Sequence, residues 1–308
     1  MMGVGNDLNP KDLEELRVKM NELMTFDKVL EEFIKVSNLV KGVNFLSSWE
    51  GYEDAELLGK KMLSHILCAK LLFFPISVKQ NGAEYAMETD YSSVHVLLRA
   101  AIEAYLTFHF IFIAPKSSEM RDFRFKYWRL NGLKKRVKSE TAEISDSELE
   151  EEINEKIDRD NQYCQIILDE LITNKYFKQR LLEVRDKNKF QQGESERCGY
   201  FWNDLANEAN FTKCYFKHNY WYLCDFSHSG YISILQQNSE DNEEHIQMSL
   251  RNSQATMKIL IARFTFDYLS FFNLSPEKVD ELGDLAACQM WSRVGTENIQ
   301  TVSYTSQF

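Results

Sequence analysis

The chain has 308 residues, with 47 Asp and Glu against 36 Lys and Arg, a formal net charge of −11. Apolar residues make up 44% of it and only 4 prolines and 12 glycines punctuate it, which supports a large core of long helices and excludes a turn-rich strand architecture. An acidic chain is repelled by phosphate backbones at long range, so binding of nucleic acid by the surface as a whole is excluded and only a local patch is left.

No apolar signal core opens the sequence, and none of Cys68, Cys164, Cys198, Cys214, Cys224 and Cys288 forms a CxxC pair. The expectation is reduced thiols in a cytoplasmic protein, with no zinc ribbon and no thioredoxin-type motif. Asn9-Pro10 and Gly42 bracket N-terminal helices over residues 10–47, with a break near Met24–Asp27. The next helix runs over Asp54–Pro75, and Ser77–Asp90, which contains Asn81-Gly82, reads as a connection, with partial helix as an alternative.

Val94–Ala114 is the most apolar run in the chain, yet it carries Arg99 and Glu103 four residues apart on one helical face, where they can pair. Its charge-free part, Ala104 to Ala114, is shorter than the ~20 residues that span a bilayer, so the run is expected to be a core helix with no membrane partner. Thr89 or Asp90 is positioned to cap it, and Ser117 or Ser118 to cap the helix after Pro115.

Charge then segregates. Lys116 to Lys138 carries nine Lys and Arg, and Ser139 to Asp160 carries ten Asp and Glu. An antiparallel helical hairpin with opposite charges on its two arms accounts for this pattern. The basic arm, Arg121–Lys138, also interleaves aromatics, the composition of a single-stranded RNA patch. Phe123 and Tyr127 fall on the inward stripe, which leaves Phe125 or Trp128 to stack on bases.

Helical pattern resumes over Tyr163–Leu171 and again after Asn174. Arg185–Gly199 is polar and without period, and is expected to be a plain surface loop, with a mobile lid or a domain boundary as the alternatives. Asn210 or Thr212 caps a predicted helix running to Gln237, with Gly230 weakening its interior. Glu244–Phe272 is a long helix with a second arginine–carboxylate pair, Arg263 and Asp267, and Ser275-Pro276 opens a last helix to about 292, followed by a frayed tail over 295–308. The fold class is all-α, a multi-helix bundle of about eight to ten helices without significant sheet, in a single domain with its core at 50–272.

His218, Trp221, Asp225 and His228 share one face if the helix continues through them. Asp225 is then placed to accept from His228 and fix its tautomer, the usual arrangement for an acid–base histidine, with Ser227 and Ser229 beside it. A polar face half exposed to water, or a core histidine satisfied by its neighbour, accounts for the same spacing. No Gly-x-Ser-x-Gly elbow, GxGxxG or P-loop spacing is present, and Asp225-x-x-His228 has no second copy to complete a di-iron site, so no cofactor and no metal is expected.

Arg99-x-x-x-Glu103 in an apolar run, an Arg-rich aromatic helix with Arg121, Arg124 and Tyr127, and an aromatic helix ending in Ser227-His228 together resemble a bacterial all-helical domain family of unknown function. That family occurs among mobile-element and phage-defence genes, and its fold is loosely similar to HEPN bundles, some of which are metal-independent ribonucleases. The resemblance spans about residues 50–272. It departs from the HEPN pattern in one respect: no arginine precedes His218 or His228 by four to six residues, Lys213 being the nearest cation.

Two functions remain open at this level. One is a cytoplasmic interaction or sensor/effector module for antiviral defence, with a protein partner or a second copy in a homodimer. The other is a metal-independent ribonuclease-like enzyme. Its catalytic candidates are Arg99, Glu103, Asp225 and His228, its substrate-binding candidates are Arg121, Arg124, Tyr127, Ser227 and His218, and RNA would bind at the basic patch.

Overall fold

The computed structural model describes residues 21, 24–40, 49–74, 76–87, 90–139, 147–228, 230–238, 243–272 and 285–296. The expected helices over 10–20 and 275–285 and the tail over 297–308 lie outside the described residues. Packing separates the chain into two compact units, the first within 1–50, 56–105 and 214–308 and the second within 51–55 and 106–213. Twelve α-helices occur among the described residues, several of them only one or two turns long, so the fold is an all-α multi-helix bundle.

In the first unit α1 (Phe26–Val40) opens at Thr25, whose hydroxyl accepts from the Lys28 N–H at 3.1 Å. Phe26, Val29, Phe33, Val36 and Val40 recur at helical spacing and are all buried, against α11 (Glu243–Phe272) and α12 (Ala286–Ser292). Phe33 meets Phe264 of α11 with ring centroids 5.6 Å apart. The α2 helix (Gly51–Leu71) reaches the same ring through Gly59, where an added Cβ would lie 2.5 Å from the Phe264 ring. Any side chain there has to displace the Phe264 ring from its packing against Phe33.

The connection after α2 is a β-hairpin. β1 (Ile76–Gln80) pairs antiparallel with β2 (Ala83–Met87), in a register that sets Gln80 opposite Ala83. Asn81 and Gly82 form its two-residue turn with φ of 51° and 81°, the left-handed pair that matches strand twist and that Asn-Gly supplies with least strain. Next comes α3 (Tyr91–Phe108), capped by Asp90, whose carboxylate accepts from the Ser93 N–H at 2.9 Å. It continues as one π-helical turn over His109–Ile113, closed by the Ala114 N–H donating to the His109 carbonyl before Pro115. Tyr91–Ile113 is long and apolar enough to cross a membrane, and 61% of its most apolar window is buried within the protein, as in a core helix.

In the second unit α4 (Ser118–Ser139), capped by Ser117, lies antiparallel to α5 (Ser147–Thr173). Lys126 reaches Glu170 at 2.7 Å near one end and Arg136 pairs with Asp160 towards the other, so ion pairs join the two arms at two places. The short helices α6 (Lys175–Glu183), α7 (Lys187–Gln191) and α8 (Trp202–Glu208) complete the unit.

Residues 185–199 are not the expected plain surface loop. Phe190 on α7 is buried between Tyr127 and Phe177, with ring centroids at 4.8 and 5.0 Å, and Tyr127 donates its hydroxyl to the Phe190 carbonyl at 3.0 Å. One aromatic in a polar stretch has no period to reveal it, but it is enough to pin the segment.

The strongest local tie in the first unit is Glu32, buried on α1, whose two carboxylate oxygens accept from the backbone N–H groups of Ala287 (3.2 Å) and Cys288 (2.8 Å) at the start of α12. Charge-assisted bonds of this kind are worth about 1.5–3 kcal/mol each. Glu32→Ala is therefore expected to lower unfolding free energy by about 3 kcal/mol or more, and Glu32→Gln, which keeps one acceptor oxygen, by less. Urea unfolding midpoints of the two variants test the order; equal losses would show that burial of the side chain, not the capping bonds, sets the cost.

Candidate functional site

Two helices of the first unit assemble the polar cluster. On α3, Arg99 and Glu103 are one turn apart, and the Arg99 Nε donates to Glu103 Oε1 at 3.0 Å. On α9 (Lys213–Ser227), Tyr220 donates its hydroxyl to the same Glu103 oxygen at 2.7 Å, and its ring lies 5.7 Å below the Arg99 guanidinium. Beyond the end of α9, the exposed His228 ring comes back to Arg99, Nη1 to Nε2, at 3.1 Å. A guanidinium can only donate, so Nε2 is the acceptor and the imidazole carries its proton on Nδ1 in this arrangement.

Burial opposes the positive charge of Arg99, but Tyr220 and Glu103 outweigh it and hold the guanidinium above its ordinary value. Burial, reinforced by the bond to Glu103, pushes the Tyr220 phenol well up, so it stays a donor. Glu103 and Tyr220 thus fix Arg99, and Arg99 fixes the imidazole. The side chains of Arg99 and Glu103 keep 19% and 29% of their surface in solvent, and the cluster is open on that side.

The entire segment from 85 to 245, which contains all of these residues, matches the sequence pattern of DUF5677, a family of unknown function. The chain belongs to the DUF5677 family. No curated protein of known function and no solved structure shows a significant match.

Within this DUF5677 chain Asp225 does not do what its spacing suggests. The α9 helix stops at Ser227, and although the His228 N–H still donates to the Cys224 carbonyl at 3.1 Å, the ring meets Arg99 and not Asp225. The Asp225 backbone carbonyl accepts from the Gly230 N–H at 2.7 Å, and a Cβ on Gly230 would lie 2.7 Å from the Asp225 carboxylate. Asp225 therefore shapes the turn that delivers His228, and its carboxylate makes no hydrogen bond to the ring. Ser227 donates to the Leu223 carbonyl at 3.2 Å, and the exposed His218 ring holds the Cys214 carbonyl through Nδ1 at 2.9 Å. Ser229 lies outside the described residues. Tyr220, the residue that joins the two helices, escaped the sequence reading because it sits off the His218–Asp225 stripe in a run of aromatics.

The other three binding candidates belong to the second unit. Arg124 on α4 is 1% exposed and gives Glu208 two bonds at 2.8 and 2.9 Å and the Phe110 carbonyl a third at 2.8 Å. Its guanidinium also covers the Phe110 ring at 4.0 Å. Tyr127 is buried in the Phe190 stack, and Arg121 is half-buried on the same helix. Arg124 and Tyr127 thus hold this unit together.

The basic arm is correspondingly occupied: Lys126, Lys135, Arg136 and Lys138 pair with Glu170, Glu196, Asp160 and Glu194. Phe125, expected to stack on bases, is buried, and only Trp128 keeps part of its surface. Among the described residues no group of three or more His, Cys, Asp or Glu side chains is disposed to hold a metal ion.

The second arginine–carboxylate pair, on α11, is deeper. The Tyr105 hydroxyl donates to Asp267 at 3.0 Å, and burial pushes the Asp267 carboxyl up to about 7 against the opposing pull of Tyr105 and Arg263. Burial likewise lowers Arg263. A carboxyl that titrates near 3.8 when exposed and near 7 when folded binds its proton more tightly in the native state. Its stabilising contribution is full below about pH 4 and is lost as pH rises towards 7, at up to roughly 1.4 kcal/mol per pH unit. Asp267→Asn is expected to remove that slope. Urea unfolding of both proteins from about pH 4 to pH 8 checks it; parallel stability curves would place the native Asp267 carboxyl in the ordinary range.

Proposed function

We propose that the protein is a metal-independent ribonuclease-type effector, with Arg99, Glu103, Tyr220 and His228 as its centre. The observation that carries the reading is the 3.1 Å approach of Arg99 Nη1 to His228 Nε2, two side chains 129 residues apart that meet on a solvent-facing edge of the α3–α9 pair. The guanidinium spends Nε on Glu103 and one Nη1 hydrogen on the ring, and five N–H donors leave others to hold a phosphodiester oxygen.

An anionic phosphate drawn to Arg99 turns the guanidinium away from the imidazole and releases Nε2 as a general base. Nε2 takes the proton of the ribose 2′-hydroxyl, the 2′-oxygen bonds to phosphorus, and the bond to the 5′-oxygen breaks. The imidazolium returns the proton to that leaving oxygen, which gives a 2′,3′-cyclic phosphate and a 5′-hydroxyl end. Arg99 stabilises the charge on the phosphorane oxygens, while Glu103 and Tyr220 hold it in place. In this reading the protein acts in the cytoplasm as a bacterial defence effector.

A second reading, an interaction or sensor module in a homodimer, draws on one different observation. Trp221 and Tyr231, near the join of α9 and α10 (Tyr231–Asn238), are 59% and 74% exposed, with Ile234 and Leu235 also open on α10.

Purified protein is expected to cleave single-stranded oligoribonucleotides in chelator-containing buffer, to leave cyclic-phosphate ends, and to spare the DNA of the same sequence. His228→Ala should slow cleavage by about 10²–10⁴-fold without moving the unfolding midpoint, because the ring is exposed, and Arg99→Lys should recover little. Cleavage at the wild-type rate by His228→Ala, or equal cleavage of DNA, overturns the mechanism. An inactive protein that sediments as a dimer and is made monomeric by Trp221→Ser would favour the second reading.

A further inference from the structure

A cavity of about 340 Å³ lies in the first unit among α3, α9 and α11, apart from the four residues of the Arg99 cluster. That volume is within the range of small-molecule sites, about 300–1,000 Å³. No Lys, Arg, Asp or Glu lines it; its polar groups are imidazoles, amides and hydroxyls, and Leu98 and Leu223 contribute apolar wall. A charged ligand group would find no counter-ion there, so the lining selects a neutral one.

The hydrogen-bonding inventory narrows the ligand further. His95 is 1% exposed, its Nε2 meets the Ser249 hydroxyl at 3.1 Å, and its Nδ1 is buried without a hydrogen-bond partner. Burial takes its pKa down to about 4, so the ring is neutral at physiological pH. Tyr222 and Phe226 stand edge-on to it at 5.1 and 4.4 Å and fix its plane. His218 donates Nδ1 to the Cys214 carbonyl, which leaves Nε2 as an acceptor. Asn219 donates its amide nitrogen to the Tyr215 carbonyl at 2.8 Å, which leaves its Oδ1 as an acceptor. The exposed Asn252 offers both a donor and an acceptor from α11, and the half-buried Tyr222 ring offers a face.

Acceptors from one helix, a donor–acceptor amide from another and an aromatic wall, without a carboxylate, ammonium or guanidinium, match the edge and face of a planar heterocycle with N–H and C=O groups. We propose that this cavity binds the base of a nucleoside, read by His218, Asn219 and Asn252 and stacked against Tyr222. The assignment stands whether or not the Arg99 cluster cleaves anything, because no residue is shared between the two.

Isothermal titration of the full chain with adenosine, guanosine, cytidine and uridine, each separately, tests it, with ribose 5-phosphate as the probe that lacks a base. At least one nucleoside should bind with a Kd below about 1 mM, and ribose 5-phosphate should not. Asn252→Ala and His218→Ala, both at exposed positions where folding is indifferent, should each weaken that nucleoside about tenfold. A short single-stranded RNA of the preferred base then distinguishes the source: tighter binding than the nucleoside assigns the cavity to a base within RNA, and equal or weaker binding to the free nucleoside. Absence of binding by all four nucleosides, equal binding of ribose 5-phosphate, or wild-type affinity in both variants overturns the proposal.

Discussion

An arginine on the inward face of a helix has to be neutralised and hydrogen-bonded before that helix can be packed, because an unpaired buried charge costs several kcal/mol. This chain meets that constraint three times, in three ways. Arg124 is wholly buried, and a bidentate carboxylate and a backbone carbonyl take most of its donors. Arg263 lies beside a carboxyl that burial has pushed up to about 7. Arg99 alone stays at the edge of solvent, with one neighbour from its own helix, one from α9 and one from the residue just past the end of α9. The first two arrangements are closed and structural. The third leaves a cation, a carboxylate, a phenol and an imidazole where a ligand can reach them, which is why the functional reading rests on it.

Much of the fold is legible in the sequence because helix signals are local. The apolar spacing of α1, the Asp90 and Ser117 caps and the opposed charges of α4 and α5 are read directly from neighbouring residues. The Asn81-Gly82 turn was equally local, since its φ values of 51° and 81° are what that dipeptide favours, but five-residue strands are too short for a convincing alternation. Residues 185–199 fail for a different reason. Their order comes from Phe190 stacking on Tyr127 and Phe177, contacts made with residues 63 and 13 positions away, and no period inside the segment encodes them.

The candidate site was half legible. Arg99 and Glu103 sit four apart inside one helix, so their pairing follows from α-helical geometry alone. The Asp225–His228 pairing does not form, because at the C-terminal end of α9 the imidazole meets a partner from another helix, Arg99 of α3, that spacing within α9 cannot reveal. At the helix end, where the His228 N–H still donates to the Cys224 carbonyl, the imidazole turns to Arg99 on another element. Tyr220 was invisible for the opposite reason: it obeys helical geometry, but nothing in a run of aromatics marks one hydroxyl as the one that meets a glutamate 117 residues earlier.

Net charge constrains how an RNA substrate would be recognised. With a formal charge of −11 and its most basic helix largely neutralised by Glu170, Asp160, Glu194 and Glu196, the chain has little long-range attraction for a polyanion. A nuclease built this way cannot rely on counter-ion release for affinity, as basic RNA-binding surfaces do. It has to gain affinity at short range, from one well-placed guanidinium and from contacts that ignore charge. On α3, Arg99 follows directly after Leu98, and on α9, Tyr220 lies between Asn219 and Tyr222, so the same two helices present the cation on one face and the neutral cavity on another. Binding by such a site would depend only weakly on salt and strongly on the identity of the base, the reverse of what a basic patch gives.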